Sequence, residues 1–201
     1  KASLSDSITN RLLRLLSDVL ATPICAVINS SIRQGVVPQQ WRIARITPIP
    51  KTIPPRFVDS DLRPIAITCP ISKIAEHFMS GMFNEHFESH VDVNQFGCVA
   101  GRSTTLALIK LTHLLFEVSD DSSNIIRLLF IDFKKAFELI DHNIVAKKLD
   151  LYEFPPHIAL WTLSFLQHRK QFVKLGTKIS SVLDIDAGAP QGTRAGPNVF
   201  K

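Results

Sequence analysis

From Ile125 to Ile131 the chain runs through seven residues of near-continuous apolar character, broken only by Arg127, and then delivers one acid, Asp132. A run that short and that apolar predicts a strand buried on both faces. After it the pattern turns helical. Phe137, Ile140, Ile144, Val145 and Leu149 recur at helix spacing, with Lys134, Lys135, Lys147 and Lys148 left for solvent. A carboxylate at the carboxyl end of a buried strand, just before a helix, stands where open α/β sheets present their ligand groups. Phe137 follows five residues later, near the same mouth. A strand that simply ends on a polar residue accounts for the stretch equally well.

At 201 residues and 45% hydrophobic content the chain can bury the core of one large or two small domains. It begins with Lys1 rather than Met and stops at Lys201, so it reads as a piece of a longer protein. Lys and Arg number 23 against 18 Asp and Glu, with an isoelectric point near 9.3, a mild basic excess that favours a polyanionic partner without requiring one. Cys25, Cys69 and Cys98 are odd in number and widely spaced, with no C-x-x-C pair. That pattern predicts a reducing, intracellular compartment, nucleus or cytoplasm, and argues against a disulfide framework or a structural zinc site. The longest apolar stretches fall far short of the roughly 18 residues of a membrane span, so no membrane partner is expected.

Along the chain, Ser5 or Ser7 can cap a first helix with Ile8, Leu12, Leu15, Leu16 and Val19 on one face. Thr22-Pro23 is expected to restart a second helix, which Gly35 ends and Pro38 keeps from resuming. Residues 41–50 (WRIARITPIP) alternate in the strand manner, and Arg63-Pro64-Ile65-Ala66-Ile67 is a second extended segment. Ser72 is expected to open a helix through about His90, with Ile74, Phe78, Met82, Phe83 and Phe87 inward. Ser103 begins another, with Leu106, Ile109, Leu111, Leu114 and Leu115. The polar loop 119–124 is a candidate domain boundary. Pro155-Pro156 starts a further helix, and residues 171–175 and 179–185 read as a hairpin around Gly176-Thr177.

Three glycines and two prolines between Gly188 and Pro197 make a loop whose backbone approaches something closely, or an ordinary surface turn. Residues 97–105 (GCVAGRSTT) look like a phosphate-binding turn, although a plain helix cap at Ser103 or Thr104 explains the hydroxyls as well. His86 and His90 are spaced as a metal pair on a helix. Phe87 occupies the place where a metalloprotease motif needs Glu, so a solvated helix face is the favoured reading. Neither a phosphate loop nor a dinucleotide fingerprint occurs.

Taken in order, these motifs resemble the reverse transcriptase domain of non-LTR (LINE-type) retrotransposons. Gly35-Val36-Val37-Pro38 with Trp41 and Ile49-Pro50-Lys51 resembles the family's entry to the fingers, and Leu62-Arg63-Pro64-Ile65 its R-P-I segment. Gln95-Phe96-Gly97 with Gly101-Arg102-Ser103-Thr104-Thr105 is similar to its Q-F-G-F-x-x-G-R-S-T stretch. Phe130-Ile131-Asp132-Phe133-Lys134-Lys135-Ala136-Phe137 resembles palm motif A, with Asp141-His142 trailing it. Gly188-Ala189-Pro190-Gln191-Gly192-Thr193, with Gly196-Pro197 and Phe200, resembles palm motif B.

The resemblance implies an α+β right-hand polymerase: a helical lead-in over residues 1–40, fingers over 41–120, and a partial palm over 121–201, an antiparallel sheet backed by helices. It implies RNA-directed DNA synthesis from an RNA template, a DNA primer and deoxynucleoside triphosphates. Asp132 would be one of two acids holding two Mg²⁺ ions, with the Ile131 or Phe133 backbone assisting. Phe137 would lie under the sugar and exclude a ribose 2′-hydroxyl. Lys51 and Arg63 would neutralise the triphosphate. Phe133, Gln191 and Gly192 would belong to the nucleotide pocket, and Arg102 would contact template phosphate. The chain departs from the family at Glu138, at Cys98-Val99-Ala100 and at Arg194-Ala195. The family's Tyr-x-Asp-Asp hairpin and thumb would lie past Lys201, so these 201 residues alone are expected to extend no primer. A non-catalytic nucleic-acid-binding remnant of a decayed or domesticated element is the alternative.

Overall fold

The computed structural model describes residues 8–120 and 124–200. Helix α1 (Asn10–Leu15) is capped by Thr9, whose Oγ1 accepts from the Leu12 amide at 3.1 Å. The alternatives Ser5 and Ser7 lie outside the described residues. Helix α2 (Ser17–Gln34) runs straight through Pro23, which corrects the expected restart at Thr22. Proline lacks one ladder donor, and the remaining turns carry the helix past it. Gly35 closes α2 at φ 64°, its amide donating to Ile32 and that of Val36 to Ser31. A side chain there would also strike Leu160, whose Cβ lies 2.5 Å from the position a Cβ on Gly35 would take.

Strand β1 (Ile43–Pro50) and β2 (Leu62–Ile67) form the two extended segments read from the sequence, paired antiparallel from Arg45↔Ile67 to Pro50↔Leu62. The turn between them carries helix α3 (Val58–Asp61). On its other edge β1 runs parallel to β3 (Arg169–Leu175), which pairs antiparallel with β4 (Lys178–Ile179) and β5 (Leu183–Ile185). The fold is therefore mixed α/β around a mostly antiparallel sheet, with one parallel pair joining strands from the two halves of the chain. The alternation in β1 turns Ala44 and Ile46 into a small core with Ala66 and Val173.

The main core lies among α2, α4 (Pro70–Phe87), α6 (His142–Leu151) and α7 (Pro156–Leu166). Trp161 and Phe165 stack at 5.5 Å and are 1% and 0% exposed. Burying such a ring contributes about 2–3 kcal/mol. The indole Nε1 donates to Ser31 Oγ at 3.0 Å, so the one polar atom of Trp161 is satisfied.

Helix α4 differs from expectation at its start and on its face. Cys69 caps it through Sγ, with Pro70 in the first turn, and Ser72 is buried one turn inside. Its inward line runs Ala75, Glu76, Met79, Phe83 and Phe87, which rotates Ile74 and Phe78 toward solvent. His90 is exposed, as the solvated-face reading expects, whereas His86 is half-buried; their rings join Phe87, Tyr152 and Phe154, and His86 Nε2 bonds the Tyr152 carbonyl at 2.9 Å.

Helix α5 (Thr104–Ser119) starts at Ser103 as predicted, Oγ accepting from Leu106 at 3.2 Å. It buries no side chain completely. The largest correction concerns residues 124–133, which form no strand and are exposed. Ile125, Leu129, Phe130 and Ile131 are 84, 84, 80 and 78% exposed. A doubly buried strand needs a ladder on its edges and a layer on each face, and among the described residues none of the five strands pairs with this run. The predicted helix is shortened for a related reason. Residues 134–139 are turns, so Phe137 and Ile140 precede α6, which buries only Val145 and Leu149.

Candidate functional site

The site is built around the glycine-rich turn 188–197, which is held from three directions. On one side it closes against the turn that follows Asp132. The Ala189 amide donates to the Phe137 carbonyl at 2.7 Å, and that of Gly188 to Ile140 at 2.9 Å. His142 Nε2 meets the Gly188 carbonyl at 2.8 Å, fixing that nitrogen as the donor. Glycine is required at 188. Its φ is 78°, and a Cβ would stand 2.6 Å from the Glu138 carbonyl oxygen and 2.9 Å from that of Phe137.

From the sheet, the Ala66 amide of β2 donates to the Gln191 carbonyl at 2.8 Å. Gly192, at φ 89°, lies where a Cβ would press on Ile65 Cγ2 at 3.1 Å. From α4, Glu76 Oε2 accepts from the Arg194 amide at 2.9 Å, and His77 Nδ1 meets Arg194 Nη1 at 3.1 Å. Inside the turn, Thr193 Oγ1 donates to the Pro190 carbonyl and accepts from Gly196. Helix α8 (Ala195–Phe200) then carries the Phe200 ring to 5.0 Å from Phe137 and 6.5 Å from Phe133.

Beside the turn a cleft of about 540 Å³ opens between β1, β2 and β3, bordered by Lys135, Glu138 and Gln191. The Gln191 amide reaches Glu138 Oε1 at 3.4 Å. Arg169, 4% exposed, closes its floor with Cζ 4.7 Å over the Phe165 ring and Nη1 donating to the Phe165 carbonyl. Burial pulls its guanidinium down to about 10, with Glu76 pulling it back. Burial likewise pushes Glu76 up from the usual carboxylate range, against the bonds it accepts from Arg194 and Ser72.

The structure thus brings Phe133, Phe137, Gln191 and Gly192 into one neighbourhood. Lys51 and Arg63 share the far end of the β1–β2 hairpin: Arg63 pairs with Ile49, and Lys51 follows Pro50 and donates from Nζ to the Ser60 carbonyl. Arg102 lies half-buried in the loop before α5, with Nη1 donating to the carbonyls of Asp92 and Gln95. Asp132 and its neighbours Ile131 and Phe133 are exposed. Among the described residues no group of three or more His, Cys, Asp or Glu side chains could hold a metal ion. The single carboxylate of Asp132 therefore does not complete a site for two Mg²⁺ ions, although its oxygen chemistry suits that ion. No helix among the described residues is long and apolar enough to cross a membrane.

Glu76 is not among the residues that the sequence singles out. The available signal was an acid inside an otherwise apolar face, four residues after Ser72 and so one turn above a hydroxyl able to serve it.

Residues 49–201 match the family described as reverse transcriptase (RNA-dependent DNA polymerase), well over half of the chain. The chain belongs to that family, and its relatives agree with the LINE-type resemblance. It is 27% identical over 198 residues to the probable RNA-directed DNA polymerase from transposon BS of Drosophila melanogaster, covering 97% of this chain and 22% of that protein. It is 30% identical over 206 residues to the RNA-directed DNA polymerase from mobile element jockey of the same fly, covering 100% of this chain and 22% of the relative. The probable enzyme from transposon X-element is 28% identical over 202 residues, again covering 100% of the chain and 22% of its length. The chain thus spans about a fifth of the curated relatives it matches.

Proposed function

We propose that this chain is the fingers and part of the palm of an RNA-directed DNA polymerase, acting inside the cell on an RNA template, a DNA primer and deoxynucleoside triphosphates. The observation that carries the reading is the 2.7 Å bond from the Ala189 amide to the Phe137 carbonyl. It joins the two motifs that the resemblance assigns to one nucleotide pocket, across a wide gap in sequence. Gln191 and Gly192 then form one wall and the ring of Phe137 another. A flat apolar ring beneath the sugar offers a 2′-hydroxyl neither space nor a hydrogen-bond partner, and leaving that hydroxyl unpaired disfavours a ribonucleotide.

Lys51 and Arg63, at one end of the β1–β2 hairpin, supply positive charge for the triphosphate, where negative charge develops during phosphoryl transfer. Asp132 is the carboxylate this chain contributes toward the two Mg²⁺ ions, with a second acid supplied by the longer protein. Accordingly, the 201-residue chain by itself extends no primer.

The test is primer extension on an RNA template by the longer protein, with Phe137→Ala beside the parent. The parent should incorporate deoxynucleotides and reject ribonucleotides, and the variant should admit both. A variant that rejects ribonucleotides as strongly as the parent removes Phe137 from the sugar site. Deoxynucleotide incorporation by the purified 201-residue chain would overturn the division of the acids.

A further inference from the structure

We infer that Glu76 is a positioning residue for the nucleotide pocket: it sets where Gln191 and Gly192 stand by holding the turn 188–197 from α4. This rests on the function proposed above for that turn. The side chain is 0% exposed, and a buried carboxylate is tolerated only when nearly all its acceptor capacity is used. Here it is used on both flanks. Oε1 accepts from Ser72 Oγ at 3.0 Å and from Thr68 Oγ1 at 3.4 Å. On the other flank, Oε2 accepts from the Arg194 amide at 2.9 Å, across 118 residues of sequence.

Thr68 ends the segment that begins at Ala66, whose amide holds the Gln191 carbonyl. The turn is therefore fastened to one frame at two points, Gln191 to the β2 end and Arg194 to Glu76, with Gly192 and Thr193 spanning the interval. Both hydroxyls fix the carboxylate before it meets the turn, so its position is set by α4 and β2 rather than by the loop. Buried Arg169 adds a positive field that favours the ionised form. An apolar side chain of equal size would fill the space and leave the Arg194 amide unpaired. That filling explains packing without explaining the acid.

A glutamine at 76 keeps much of the arrangement. Its carbonyl can take the Arg194 amide while its NH₂ donates to the Ser72 and Thr68 hydroxyls. An alanine keeps none of it. The two substitutions therefore separate positioning from mere occupancy of volume.

The experiment uses the longer protein with Glu76→Ala and Glu76→Gln, and reads amide hydrogen exchange together with deoxynucleotide kinetics on an RNA template. In Glu76→Ala, exchange of residues 188–197 should rise about ten- to a hundredfold, the range for losing a hydrogen bond to a charged group, while α7 stays protected. KM for the deoxynucleotide should rise about tenfold or more, because the competent turn is less populated, with template affinity unchanged. Glu76→Gln should recover most of both. Unchanged exchange in the turn, or a rise of equal size in α7 and in both variants, overturns the inference. If the alanine variant does not fold, the glutamine variant decides: turn exchange between parental and tenfold faster supports positioning, and parental exchange with raised KM contradicts it. A parent that incorporates no nucleotide refutes the proposed function and leaves the exchange comparison to judge the link between Glu76 and the turn.

Discussion

Replacing Gly188 by alanine isolates what the close approach of the turn is worth. At φ 78° an L side chain sits in the left-handed region, which costs about 1–2 kcal/mol, partly offset by about 0.4–1 kcal/mol from a stiffer unfolded chain. Gly176 has the same handedness, φ 57°, and the methyl that an alanine would add there meets nothing within 4 Å. Gly176→Ala should therefore cost about 1 kcal/mol. At Gly188 the methyl must also displace the Glu138 and Phe137 carbonyl oxygens, 2.6 and 2.9 Å away. Overpacking of that kind costs about 1–3 kcal/mol, and the bond from Ala189 to Phe137, worth about 1 kcal/mol, is strained with it. The total for Gly188→Ala is about 2–5 kcal/mol. Trp41 and Trp161, 5% and 1% exposed, report global unfolding by fluorescence in a urea titration. Equal costs for the two variants, within about 0.5 kcal/mol, would refute the reasoning, since only the approach to residues 137 and 138 distinguishes them.

Further outcomes follow from the same structure. Asp61 accepts from Ser60 Oγ and from the amides of Arg56 and Phe57, which holds its carboxyl below the usual aspartate range. A depressed folded-state value stabilises the 51–61 turn above about pH 4 and loses that contribution as pH falls through it. Amide exchange at Arg56 and Phe57 should therefore accelerate in acid, and Asp61→Asn should flatten the dependence. The exposed run at Ile125, Leu129, Phe130 and Ile131 forms an apolar surface of the kind that drives association. Leu129→Lys should lower light scattering by the 201-residue chain while leaving its urea midpoint unchanged. Trp161→Phe removes the donor to Ser31 Oγ and part of a fully buried ring, and should cost about 1–3 kcal/mol by the same titration.

The elements legible in the sequence are those whose signals are local. The period-2 alternation of residues 43–50 produces β1, Ser103 caps α5, and Pro155-Pro156 opens α7. What the sequence hides depends on partners far away in the chain. The run 125–131 carries an appetite for burial but no statement of which strand will lie beside it, and none of the described strands does. Pro23 reads as a helix start because one missing donor looks the same at a first turn and inside a long helix. The glycines of 188–197 announce a close approach, whereas its object, the carbonyls of Phe137 and Glu138, is set by tertiary packing. Glu76 is hidden for the same reason, since the bond it accepts from the turn comes from an amide 118 residues away.

The most direct test of the proposed function is primer extension by the longer protein carrying Asp132→Asn, with RNA-template binding measured on the same preparation. The account predicts that the parent extends a DNA primer on RNA, and that the variant binds the template as tightly but extends nothing. Extension by the variant at the parental rate would contradict it.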